Sequence, residues 1–247
     1  MKTFRLIRSH PAAASYNMAL DEKVFFRYLK DKVPVFRVYS FQEPSFTYGV
    51  SQKPEREINI SECAKDGVHL ARRMTGGGIL FHNNEITYSF ACGKEDIGED
   101  RRVFVSYRNI CGFLMLFYRY LGLKPFFALE ADDFNERSAA HPLCSASREK
   151  YDITINGRKI GGNAQKRNKE AVFQHGSIPI SLDWGLMRKY VRYLPEGAPS
   201  GVTSLAQELD ALPDRGMLEQ KLIEAVKDYF GADLIEEEEP LFETAVA

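Results

Sequence analysis

The segment "YDITINGRKIGG" (151–162) limits what this chain can become more than any other stretch. Asn-Gly stands there between two runs of alternating apolar and polar residues, and that dipeptide accepts the positive φ angles a two-residue hairpin turn needs. A second alternating stretch, "GILFHNNEITYSFA" (78–91), reads as two strands around Asn83-Asn84. Ile86, Tyr88 and Phe90 fall on one face and Glu85, Thr87 and Ser89 on the other, which predicts a hairpin with one dry face. "VFRVYS", "SFTYGVS", "VHLARRM", "KPFFALEADDF" and "AVFQHGSIPISL" supply further strands. Hairpin-linked strands outnumber any strand-helix-strand alternation. The predicted class is therefore α+β, a mixed, largely antiparallel sheet packed with helices.

Helical spacing of apolar residues covers 15–30, with Ser15 as the expected cap. Ser61 to Asp66 predicts a short helix closed by Gly67. Val103, Tyr107, Ile110, Leu114, Phe117 and Leu121 predict a long amphipathic helix ended by Gly122. Two more helices are expected near 183–193 and 216–229, the second ending at Gly231, while 135–147 has no period and reads as a loop. No repeat or linker divides residues 1–247, so one domain is expected, with a small helical C-terminal segment (about 183–247) as an appendage. The run "EEEE" at 236–239 reads as a solvated edge or tail.

Lys and Arg number 33 and Asp and Glu 34, so no net field recruits nucleic acid or an anionic membrane, and any basic site must be local. The longest apolar run, "ICGFLMLFYRYLGL", is broken by Arg119 and falls short of the roughly 20 residues a bilayer requires. Cys63, Cys92, Cys111 and Cys144 form no CxxC pair and have no metal-ligand spacing, and the first residues lack the apolar core of a secretion signal. The expectation is a cytoplasmic chain with reduced thiols and no bound metal.

Chemistry concentrates in two glycine-rich stretches. In "HLARRMTGGGILFH", Gly76, Gly77 and Gly78 permit close backbone approach to a ligand and expose amides able to hold an anion or a carbonyl oxygen. If the preceding strand alternates, only one of Arg72 and Arg73 can face that ligand. The pattern is neither a P-loop nor a dinucleotide fingerprint, because no Gly-Lys-Ser/Thr and no helix follow it. In "NGRKIGGNAQKR", Lys159 precedes Gly161-Gly162 and the small Ala164, so each glycine-rich strand carries a cation, as a sheet would if it wrapped an apolar chain and positioned its polar head. Cys144 differs from the other cysteines in lying in a polar loop beside His141, Ser145 and Ser147. A thiol of that kind matters when an ammonium lowers its titration point, and Lys159 is the candidate if the hairpin brings it under the loop.

Together these stretches resemble the lipoate–protein ligase and octanoyltransferase superfamily, which shares a catalytic domain with biotin protein ligase. "NMALDE" resembles its N-terminal helix, and "RRMTGGGILFHNNEITYSF" its Arg-Arg-x-Thr/Ser-Gly-Gly motif with a following histidine. "YDITINGRKIGGNAQKR" resembles its Gly-x-Lys-Ile-x-Gly-x-Ala motif, "FQHGSIPI" its His-Gly strand, and "GVTSLAQEL" a late motif. The resemblance covers most of the chain and implies a fold related to class II synthetases. It implies Cys144 as the nucleophile, seven residues before Tyr151, and Lys159 as the family's lysine. Arg73, Thr75, Gly76, Gly77, Gly78, His82, Gly161, Gly162, Ala164, His175 and Gly176 then bind substrate, with His82 and His175 as candidate proton carriers. Gly78 matches the ligases, where transferases usually carry arginine, and "HNN" departs from both groups, which favour an acid directly after the histidine.

The activity so implied is transfer of an octanoyl group from acyl carrier protein, through a Cys144 thioester, to a lysine of a lipoyl domain or of the glycine-cleavage H protein, by a monomer needing no cofactor. One rival is an ATP-dependent lipoate–protein ligase using ATP and Mg, with Cys144 idle. The other is a silent scaffold that binds acylated proteins.

Overall fold

A computed structural model describes residues 2–42, 44–98, 103–130, 149–194 and 198–239. Its centre is a six-stranded sheet of β1 (Lys2–Arg8), β2 (Val35–Tyr39), β6 (Glu85–Gly93), β10 (Gly162–Arg167), β11 (Ala171–Pro179) and β13 (Ala232–Glu237), in the order β10-β11-β6-β2-β1-β13. β1 runs parallel to β2 and β13, and the other pairs are antiparallel. Helix α1 (Ala14–Asp31) covers one face, where Val24, Phe25 and Tyr28 pack on Ile7, Val35, Ala91 and Phe173. Helices α3 (Val103–Tyr120) and α6 (Arg215–Phe230) cover the other, where Ile110, Phe113, Leu218 and Leu222 meet Phe4, Phe36, Tyr88 and Phe90. Among the described residues no helix is long and apolar enough to cross a membrane.

Two smaller sheets flank this core. One holds β4 (His69–Arg72), β3 (Ser45–Tyr48) and β5 (Leu80–His82) in the order β4-β3-β5. The other holds β7 (Pro125–Phe127), β8 (Ile153–Ile155), β9 (Arg158–Ile160) and β12 (Val202–Thr203) in the order β12-β9-β8-β7. The α+β class with mixed sheets is as the sequence predicts. So is the β8–β9 hairpin, whose turn residues Asn156 and Gly157 adopt φ of 49° and 74°.

The stretch 78–91 departs from expectation, because β5 pairs with β3 while β6 pairs with β2 and β11. The two strands around Asn83-Asn84 thus lie in different sheets and make no hairpin. The turn is held from outside, with the Ile180 and Ser181 amides both donating to the Asn84 carbonyl. The alternation on β6 is correct, yet its polar face is dry too, since Glu85, Thr87 and Ser89 are all buried. A central strand covered on both faces has no solvent side.

Two further expectations change. Helix α1 begins at Ala14, one residue before Ser15, and its leading residue Ala13 makes no side-chain cap. The C-terminal segment is no helical appendage: alongside α4 (Trp184–Tyr190), α5 (Leu205–Glu208) and α6, it supplies β12 beside β9 and β13 beside β1. α6 does end at Gly231, in a left-handed conformation. In the acidic run, Glu237 pairs with Arg5 and Arg27 along the exposed edge of β13.

Candidate active site

Where the six-stranded sheet meets the β4-β3-β5 sheet, a small pocket opens. Met18, Phe41, Leu80 and Ala164 form its apolar wall, and Arg73, His82 and His175 its polar one. Leu80, Gly162 and Ser177 are shared with a second, larger cavity, continued by Gly161, Asn83, Trp184 and Met187. Gly161 is the pivot between β9 and β10: its φ is 76°, and a side-chain carbon there would lie 2.2 Å from the Ser177 carbonyl oxygen.

Two chains of polar groups bound the smaller cavity. On α1, Asp21 is buried and its carboxylate accepts from Arg37 Nη1 (2.9 Å), Tyr39 Oη (2.9 Å) and His175 Nδ1 (3.1 Å), while His175 Nε2 lies 2.7 Å from Thr75 Oγ1. A carboxylate can only accept, so Nδ1 carries the proton and Nε2 accepts from the threonine hydroxyl. Burial, outweighing Asp21, keeps the His175 imidazole below its ordinary value and hence neutral. Burial alone would raise Asp21, but the His175 hydrogen bond and the Arg37 guanidinium hold its carboxyl below the usual range.

The second chain repeats the chemistry. His82 Nδ1 lies 3.1 Å from Glu85 Oε1, and its Nε2 lies 2.7 Å from Thr47 Oγ1. Arg73 Nη1 donates to that same Oγ1 at 3.0 Å, and its Nη2 donates to the carbonyls of Gly76 (3.1 Å) and Gly78 (2.7 Å). Alternation of the two arginines is as predicted: Arg73 is buried against the loop, whereas exposed Arg72 donates to the Val50 carbonyl. The triple glycine does not line either of these two cavities; its backbone lies so close to Gly49 that a side-chain carbon there would meet the Gly76 and Gly77 carbonyls.

Lys159, on β9 two residues before Gly161, is buried, and its Nζ forms a 2.8 Å ion pair with Asp152. Asp152 also accepts from the Glu149 amide at 2.7 Å, fixing the carboxylate at the start of β8. Cys144 lies outside the described residues. Cys63, Cys92 and Cys111 are buried, as expected of small hydrophobes; burial pushes the Cys63 and Cys111 thiols up to about 11 and about 12 and raises Cys92 as well.

Residues 13–231 match the lipoyl protein ligase A/B catalytic domain. The chain belongs to that family. Among curated relatives, octanoyltransferase LipM of Geobacillus kaustophilus is 33% identical over 196 residues, spanning 78% of this chain and 70% of the relative. The Bacillus cereus octanoyltransferase LipM is 32% identical over 229 residues, spanning 89% and 82%. Two solved structures share the fold. One is a bi-partite lipoate protein ligase from Thermoplasma acidophilum, with TM-score 0.76 and 21% identity over 98% of this chain and 89% of that one. The other is a lipoate-protein ligase A bound with ATP, with TM-score 0.77 and 22% identity over 98% and 90%.

The lipoyl ligase family resemblance drew attention to the histidines but not to their partners. The acid missing directly after His82 stands at Glu85, whose second oxygen accepts from the Asn83 amide at 2.9 Å. Asn17 and Asp21 were also passed over; their signal was two polar residues four apart on the apolar stripe of α1. Asn17 donates to the Ala12 and Ser40 carbonyls and accepts from Arg37.

Proposed function

We propose that this chain is an octanoyltransferase of protein lipoylation in which Cys144 is the nucleophile and Lys159 the ammonium that favours its thiolate. The thiolate attacks the carbonyl of octanoyl-acyl carrier protein, the carrier's C–S bond breaks, and the carrier thiolate leaves to take up a proton. The amine of a lipoyl-domain or H-protein lysine then attacks the acyl-enzyme, losing a proton as Cys144 is released. Met18, Phe41, Leu80 and Ala164 offer the acyl chain a dry wall, and the amides of Gly161 and Gly162, which line the cavities, are the candidate donors to the tetrahedral oxyanion. The observation that carries this reading is Lys159: a buried charge held by Asp152, two residues before the glycine pair whose Gly162 lines both cavities. The 32–33% identity to proteins named octanoyltransferase supports the same chemistry.

The test is intact mass after incubation with octanoyl-acyl carrier protein. The wild-type chain gains one octanoyl group and Cys144→Ser gains none; unchanged transfer by Cys144→Ser overturns the covalent route, and absence of any gain in the wild type favours a silent binder. Gly78, the residue ligases carry at that position, favours ATP-dependent ligation of lipoate as a second reading. A lipoyl group reaching the acceptor only when ATP and Mg are present, with no octanoyl transfer from the carrier protein, supports it.

A further inference from the structure

The two polar chains end on the same short segment. Thr75, the residue before the triple glycine, is held through its hydroxyl by His175, and its carbonyl accepts from the Val50 amide at 3.0 Å. The carbonyls of Gly76 and Gly78 are held by Arg73, which is itself steered by Thr47, His82 and Glu85. All four imidazole nitrogens are engaged inside these chains, so neither ring can deliver a proton to a substrate without breaking a bond to its own threonine or acid. That changes the role available to the histidines, from carriers of a proton to struts.

We propose that Asp21 and Glu85 are positioning residues that act, through His175–Thr75 on one side and His82–Thr47–Arg73 on the other, to set the backbone of Thr75–Gly78. The proposal rests on the transferase reading above: the segment itself lines neither cavity, but it is held by Arg73 and His175, whose side chains line the smaller one. A glycine triplet has many accessible backbone states, and the cavity-lining Arg73 and His175 keep their geometry only if the backbone they bond to is itself fixed. Two side-chain clamps of acid, imidazole and hydroxyl supply the restraint that the triplet lacks. Each acid locks its ring with the proton on Nδ1, which leaves Nε2 as the acceptor the threonine needs.

A double-mutant cycle of Asp21→Asn and Thr75→Val tests this, because His175 bridges the two side chains. We measure kcat and KM for octanoyl transfer, and amide hydrogen exchange across 75–80 in the same proteins. Each single change is expected to lower kcat about tenfold with KM for the carrier protein unchanged, and the double change to lower it no further than the worse single. Exchange across 75–80 rises equally in all three while α1 stays protected, and Thr75→Ser restores the wild-type values. Multiplied losses of about a hundredfold in the double, or unaltered exchange across 75–80 in Asp21→Asn, overturn the proposal. Should Asp21→Asn not fold, the Thr75→Val and Thr75→Ser pair decides: equal exchange and equal rates in both refute the strut. If the wild type moves no octanoyl group, the transferase reading falls alone, because the exchange measurements still decide whether the acids restrain the loop.

Discussion

Replacing Gly49 by alanine puts the packing of the glycine loop to a direct test. Gly49 follows β3, and a Cβ built there lies 2.4 Å from the Gly77 carbonyl oxygen and 2.8 Å from the Gly76 carbonyl carbon. The first distance is about 1 Å inside van der Waals contact, and both neighbours are backbone that no rotamer change can move aside. Relief requires the loop to shift against the Arg73 guanidinium, which holds the carbonyls of Gly76 and Gly78. Overpacking of this kind costs about 1–3 kcal/mol. At roughly 2–4 °C per kcal/mol for a chain of this size, Tm should fall by roughly 2–12 °C. Gly76→Ala is the control: nothing lies within 4 Å of its built Cβ, so its cost should stay within about 0.5 kcal/mol. Thermal unfolding followed by circular dichroism, with coincidence checked by fluorescence, measures both. Gly49→Ala melting with the wild type, or Gly76→Ala losing as much as Gly49→Ala does, would rule out this close packing of the loop.

Two more outcomes follow from the buried charges. Lys159→Met leaves the Asp152 carboxylate in a buried site without its ammonium and should cost about 3–5 kcal/mol, with Asp152→Asn added to it recovering part of the loss; denaturant unfolding that shows less than about 1 kcal/mol for the single change contradicts the pairing. His175, faced by Asp21, Arg73 and His82, binds its proton less readily folded than unfolded, so the unfolded chain gains protons first as pH falls through about 6.5. Its contribution to stability is present above that pH and lost on acidification. His175→Asn should flatten the decline of Tm between about pH 6.5 and 5, and a slope identical to the wild type rules the contribution out.

Local features of the chain were legible because their causes are local. Asn156-Gly157 forms the turn that its tolerance of positive φ dictates, and Gly67, Gly122 and Gly231 stand at positive φ after α2 (Ile60–Lys65), α3 and α6, the helices they were expected to close. Arg72 and Arg73 diverge because consecutive strand residues face opposite ways. The apolar positions of α1 and α3 predicted helices, since a stripe at helical spacing has one efficient way to be buried. The motif order from Arg73 to Gly176 likewise pointed to the lipoyl protein ligase A/B family to which the chain belongs.

What sequence reading missed are relations between segments far apart in the chain. Nothing local distinguishes β5 and β6 as a hairpin from β5 and β6 as neighbours in separate sheets; the choice depends on β3, β2 and β11, which compete for their edges. The polar side of β6 looked solvent-facing because alternation records which residues share a face, and whether a helix lies over that face is settled elsewhere. Asp21 and His175 stand 154 residues apart, and Thr75 and His175 100 apart, so no window on the sequence contains both ends of either bond. Side-chain types, turn chemistry and helix periods are properties of short segments and were determined by the sequence alone. Which strands pair, which polar residues are dry, and which acid grips which imidazole were decided by long-range packing, because a carboxylate acquires its role from whatever replaces its water.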